Sequence, residues 1–177
     1  MIDGRYTLVS MLGTLEDFYR DVEKYITVFD QFAEKHSLID ITQADHICYK
    51  CDSHESFVRT RALFEHDCEY LFQSIISKRR IAYIKLRQGI ETALGTIYFL
   101  ELSDQKPDNS QKEKFDHIEV YPTIISYTEM VAKLEAKEQV IKVDRPHHTT
   151  HDIHIGENFL FRCTEGPLIE KIKNTEM

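Results

Sequence analysis

Phe115-Asp116-His117-Ile118-Glu119-Val120-Tyr121 decides the fold, because the chain has already used its central word once, in Gln43-Ala44-Asp45-His46-Ile47-Cys48-Tyr49. The shared word is Asp-His-Ile, at positions 45–47 and again at 116–118. Apolar and aromatic residues between polar ones make each copy read as a strand. Side chains alternate along a strand, so Ile47 faces opposite to His46, and Ile118 and Val120 face opposite to His117. The same alternation turns Asp45 and Asp116 away from the histidines, into structural or edge roles. The tyrosine after each copy is out of register and carries no weight.

Working outward, each copy opens a similar series. Ser53 can cap a helix through Phe57, Ala62, Leu63 and Phe64. Three strand-like runs follow it, at 69–76, 80–86 and 95–102. In the second half, Ser126 and Glu129 form a capping-box pattern before Tyr127, Met130, Val131 and Leu134. Strands are then expected near 139–144, 151–155 and 158–163. A Glu165-Gly166-Pro167 turn leads to the expected last strand, Leu168 to Ile172. The repeat therefore predicts an α+β fold, strand–helix–strands said twice. The polar run from Ser103 to Lys114 reads as a surface linker between the halves.

Ahead of the repeat, Thr14 caps a helix from Leu15 to about Lys35. Leu15, Phe18, Val22, Ile26, Phe29 and Ala33 recur at spacings of three and four, one apolar stripe. The second half has no counterpart. The helix reads as a cover packed on the outside of the sheet. A dimerisation arm is the alternative, and would make a homodimer. The expected organisation is one globular unit: a helical extension over 1–40, modules over 41–103 and 115–177, and a linker over 104–114.

Of the 177 residues, 42% are hydrophobic and 29% charged, the balance of an ordinary globular chain, and the net charge is −8. An acidic surface repels phosphate backbones, so nucleic acid is not an expected partner. Lys78-Arg79-Arg80 reads as a solvated hairpin turn. The longest apolar run, 95–102, is too short to span a bilayer. No secretory leader is expected, which points to a cytoplasmic protein whose four cysteines are reduced and structural. Cys48 and Cys51, three apart on one strand, should face opposite ways.

The chemistry lies in four residues. Glu101 sits between Leu100 and Leu102, and Glu170 follows Ile169. A buried carboxylate needs a partner. His46 and Glu101 are 55 residues apart, His117 and Glu170 53, so each half presents one histidine and one glutamate. With the apolar residues turned to the helices, the four converge on one concavity if the halves curve together. Neutral imidazole and carboxylate are ligands for zinc, nickel, iron or manganese. Glu119, two residues from His117, is a further lining group or a general base. His147, His148, His151 and His154 lie close together, but after Pro146 they read as an exposed loop. The density invites a zinc reading, or a role at the mouth of the same concavity.

Repeated strand–helix–strands, with His on the first strand and Glu on the last, resembles the vicinal oxygen chelate superfamily. More closely, Ala44-Asp45-His46-Ile47, the Phe99 to Leu102 run and His117-Ile118-Glu119 resemble the bacterial YecM family, as does the leading helix. The resemblance implies two βαβββ modules forming a curved mixed sheet around a central cleft. It implies a divalent metal ion at His46, Glu101, His117 and Glu170, with Glu165 as the fallback for Glu170. Glu101 leans the implied chemistry toward a metal-dependent isomerase, lyase or epimerase of a small oxygen-rich molecule, and away from a dioxygenase. The alternatives are a non-catalytic protein binding a small molecule in the same cleft, and a partner-binding protein that assembles through its first helix.

Overall fold

The computed structural model describes residues 12–145 and 148–167. The first helix, α1 (Leu15–Lys35), begins where the sequence places it: the Thr14 hydroxyl accepts the Asp17 N–H at 3.1 Å. Its stripe of Phe18, Val22, Ile26, Phe29, Phe32 and Ala33 is buried. The remaining elements follow in order: β1 (Thr42–Lys50), α2 (His54–Glu65), β2 (Cys68–Ile76), β3 (Arg79–Ile90), β4 (Ile97–Ser103), β5 (Lys114–Pro122), α3 (Tyr127–Glu135), β6 (Ile141–Asp144), β7 (Thr149–Gly156) and β8 (Phe159–Cys163). Ser53 caps α2, and Ser126 with Glu129 closes a reciprocal capping box on α3. Ser77 and Lys78, both with positive φ, turn β2 into β3. Arg79 and Arg80 belong to the strand that follows.

The eight strands among the described residues join one mixed sheet in the order β2-β3-β4-β1-β5-β8-β7-β6. The two Asp-His-Ile strands are its centre, antiparallel to each other, with Ile47 opposite Ile118. On one side β1 runs parallel to β4, and on the other β5 runs parallel to β8. The next pairs outward, β4 with β3 and β8 with β7, are antiparallel. Ile47 and Ile118 are therefore the pivot about which the two sides of the sheet match.

The helices cover one face. Ile47, Leu100, Leu102, Ile118, Val120 and Phe161 share a buried core with α1, α2 and α3. α1 reaches both sides of the sheet: Phe18 rests its ring edge on Phe64 at 5.1 Å and meets Phe115 at 5.6 Å, while Phe29 stacks on Phe161 at 5.4 Å. This is the cover the stripe predicted. Cys51 belongs to that core, whereas Cys48 turns to the other face and hydrogen-bonds Glu101, so the two do lie on opposite sides. All four cysteines are buried and free.

The connection over 104–113 differs from the expected solvated linker. Asp104, Gln105, Gln111 and Glu113 are buried. Gln111 Nε2 donates to the carbonyl of Cys51 at 2.6 Å, and Asp104 takes the Arg80 guanidinium at 2.7 Å. Glu113 accepts from the Tyr49 hydroxyl at 2.7 Å and from Ser56 Oγ at 2.8 Å. The polar composition that reads as solvation instead supplies hydrogen bonds to backbone groups at the ends of β1 and β4. Among the described residues, no helix is long and apolar enough to cross a membrane.

Candidate metal centre

The face away from the helices is read most directly along two rows of strand partners. One row runs Glu101, Cys48, His117, Leu160, from β4 through β1 and β5 to β8. The row beside it runs Phe99, His46, Glu119, Arg162. Turned about the Ile47–Ile118 pair, one row maps onto the other. His46 matches His117, Cys48 matches Glu119, and Glu101 matches Arg162. The expected match to Glu101 was Glu170. Glu170 and the expected strand Leu168 to Ile172 lie outside the described residues. The strand that runs parallel to β5 is β8, and it carries Arg162 where β4 carries Glu101. Glu165, the fallback, is exposed in the bend after β8.

His46, His117 and Glu119 bring one ligating atom each within 4.8 Å of one another, all three buried. Nε2 of His46 stands 3.5 Å from Oε2 of Glu119 and 3.6 Å from Oε2 of Glu101. Nε2 of His117 stands 3.8 Å from Oε2 of Glu119. These separations are long for hydrogen bonds. They suit atoms sharing one ion, since ligands bound at about 2.0–2.2 Å stand roughly 3–3.7 Å from each other. His46 Nε2 and Glu119 Oε1 are buried without a hydrogen-bond partner. Two buried polar atoms of one cluster left without hydrogen-bond partners are what a bound cation there would satisfy. The donor set fits a divalent ion.

The aspartates of the repeated word correct the sequence reading. Both stand on the histidine side. Asp45 is the extra residue between Ala44 and His46, opposite the consecutive pair Val120 and Glu119. Asp116 is likewise the extra residue between Phe115 and His117, opposite Tyr49 and Cys48. A β-bulge breaks the two-residue alternation and re-aims the side chain. Asp45 Oδ2 meets Nδ1 of His46 at 3.0 Å, and Asp116 Oδ2 meets Nδ1 of His117 at 2.9 Å. Each carboxylate accepts the Nδ1–H and turns Nε2 toward the centre. Asp116 also takes Lys50 at 2.7 Å and Lys114 at 2.9 Å.

The electrostatics of the two histidines diverge. Burial disfavours the His46 imidazolium, but Glu119, Asp45 and Glu101 outweigh it and raise its pKa to about 9. Burial and the Arg162 guanidinium instead hold His117 down to about 4, against the pull of Asp116 and Glu101. Neutral His117 donates through Nδ1 to Asp116, and Arg162 Nη1 lies over the face of its ring, 2.9 Å from Nε2 and 3.1 Å from Nδ1. Burial raises the proton affinity of Glu119, with Glu101 and Asp45 adding to it. Glu101 is half-buried, and although that desolvation opposes its charge, His46, His117, the Cys48 thiol and Arg162 hold its pKa below the ordinary value.

Arg162 is fixed by Asp152, which accepts from Nε and Nη2, both at 2.8 Å. Arg145 reaches the same carboxylate at 3.6 Å and donates to Thr150 Oγ1 at 3.2 Å. The sequence reading missed Arg162 and Asp152. Their signal was an arginine inside the apolar run Phe159-Leu160-Phe161-Arg162-Cys163, with an acid between histidines on the preceding strand. The histidine cluster falls elsewhere. His151 Nδ1 lies 2.7 Å from the Tyr127 hydroxyl, and His154 is exposed. His148 just precedes β7 and His147 lies outside the described residues.

The chain matches the family described as YecM protein over residues 14–158. A solved structure described as "Structural Genomics, Protein EC4020" superposes with a TM-score of 0.71 at 22% identity, over 100% of this chain and 99% of its own. At that identity the likeness shows a shared fold. No curated protein matches the chain. The chain belongs to the YecM protein family.

Proposed function

We propose that the chain holds a divalent metal ion between His46, Glu101, His117 and Glu119. The site would lie in a cleft between two βαβββ modules of the vicinal oxygen chelate kind. There the protein acts on a small oxygen-rich molecule as an isomerase, lyase or epimerase. The observation that carries this is the pair of unsatisfied buried atoms, His46 Nε2 and Glu119 Oε1, at a point where two imidazoles and two carboxylates gather. Two nitrogen and two oxygen donors would suit zinc, nickel, iron or manganese.

A bound divalent ion supplies Lewis-acid stabilisation of a substrate oxyanion. The chain supplies the rest. Asp45 and Asp116 fix the tautomer and aim of the two histidines. Glu119 directs Oε2 at both imidazoles, and its carboxylate is the group that would receive a proton taken from substrate. The raised proton affinity of this carboxylate suits a general base.

One observation favours a second reading, a protein that binds a small molecule in the same place without a metal. Arg162 Nη1 stands 2.9 Å from His117 Nε2, which puts a guanidinium charge beside the place an ion would take. Metal analysis of the protein purified without a histidine tag separates the two, together with His46→Ala. Metal present in the wild type and lost in the variant supports the metal centre. Equal metal content in both would remove it.

A further inference from the structure

Glu101 and Arg162 hold matching places in the two rows, and they divide the work of the site. We infer that Arg162, with Arg145 beside it, is the seat of a carboxylate on the substrate, so that the small molecule is an anionic 2-hydroxy or 2-oxo acid. The inference rests on the metal reading above and adds the substrate class. Its first argument is a buried donor without an in-plane acceptor. Arg162 Nη1 lies over the face of the His117 ring, 2.9 Å from Nε2 and 3.1 Å from Nδ1, and Nδ1 is committed to Asp116. An imidazole nitrogen holds its lone pair in the ring plane, so the ring does not satisfy this N–H. A buried guanidinium N–H calls for an acceptor, and a substrate oxygen beside the ring would supply one.

Charge gives the same answer. Asp152 is one carboxylate shared by two guanidiniums, Arg162 at 2.8 Å and Arg145 at 3.6 Å, so a second anionic group suits the pair. Geometry narrows the group. Asp152 fixes the fork of Arg162 through Nε and Nη2, which leaves Nη1 directed into the centre beside His117. A planar carboxylate suits a fixed planar donor, and Arg145, a third exposed, can meet it from the rim. The oxygen on the neighbouring carbon then falls to the ion.

The test is calorimetric titration of the zinc-loaded protein with lactate and with lactamide, which share a hydroxyl and differ in charge. Zinc content is measured in every sample. The wild type should prefer lactate. Arg162→Lys keeps the charge against Asp152 but removes the fork, and Arg145→Gln removes the rim cation. Each should lower lactate affinity about tenfold or more and leave lactamide affinity and zinc content in place. If both variants keep the full preference for lactate, the preference belongs to the ion and the inference is overturned. If a variant loses both ligands alike, its arginine is structural, and the inference is again overturned. A wild type that takes up no zinc, nickel, iron or manganese removes the metal reading, and the inference with it.

Discussion

Asp45 is the bulged residue of β1, and its carboxylate binds Nδ1 of His46, the next residue along the chain, at 3.0 Å. Asp116 does the same for His117 at 2.9 Å. A partner on Nδ1 fixes which nitrogen is left to bind an ion and raises its basicity. Asp45→Asn should therefore lower metal affinity about 10–100-fold while leaving a folded protein. Competition against a chromogenic chelator reads the affinity, and circular dichroism the fold. Unchanged affinity in the folded variant would deny Asp45 its orienting role.

Glu119 carries a cost in the metal-free protein. It is buried, one of its oxygens has no hydrogen-bond partner, and burial resists its charge. A neutral amide relieves that cost. Glu119→Gln should keep or raise the Tm of the metal-free protein and lose metal binding at micromolar ion. The opposite pairing, a lower Tm with metal retained, would make Glu119 a structural residue only.

Asp104 supplies a pH dependence away from the centre. Burial opposes its charge, but Arg80, His54 and the Gln105 N–H outweigh burial and hold its pKa below the ordinary 3.8. A depressed folded pKa means stability present above the unfolded value and lost as pH falls through the folded one. Asp104→Asn should thus be less stable than wild type at pH 7, and the gap should close as pH drops below about 3.8. Urea melts at pH 7, 4 and 3 measure it. A gap that stays constant down to pH 3 would mean the ion pair contributes nothing.

The legible part of the molecule was local. The stripe of α1, the caps at Thr14, Ser53 and Ser126, and the two histidine strands all follow from spacing, because those signals act within a few residues. Two things were hidden. A β-bulge leaves no mark in an alternation pattern, so strict alternation turns Asp45 and Asp116 away from the histidines they hold. Strand partnership across β5 and β8 is non-local, so nothing in the spacing shows that Arg162 matches Glu101. A matched His-to-Glu separation suggested Glu170 for that place. The polar segment after β4 misled for a related reason: Gln105 and Gln111 look solvated in sequence, yet they serve backbone groups.

α1 gives the sharpest test of how the two sides of the sheet depend on each other. If it were an assembly arm, removing residues 1–36 would leave a folded double module. Its packing argues otherwise. Phe18 and Phe29 are fully buried, Phe18 against Phe64 and Phe115, and Phe29 against Phe161. Tyr25 packs between Phe115 at 5.0 Å and Phe159 at 4.8 Å. Phe29→Ala should cost about 3–5 kcal/mol, the range for emptying a buried aromatic site. Removing the whole helix uncovers Phe115, Phe159 and Phe161 together, on the strands whose other face carries His117 and Arg162. The truncated chain should lose cooperative unfolding and bind a hydrophobic dye, and with it lose metal. A truncated chain that melts cooperatively and still holds metal would return α1 to the role of an arm.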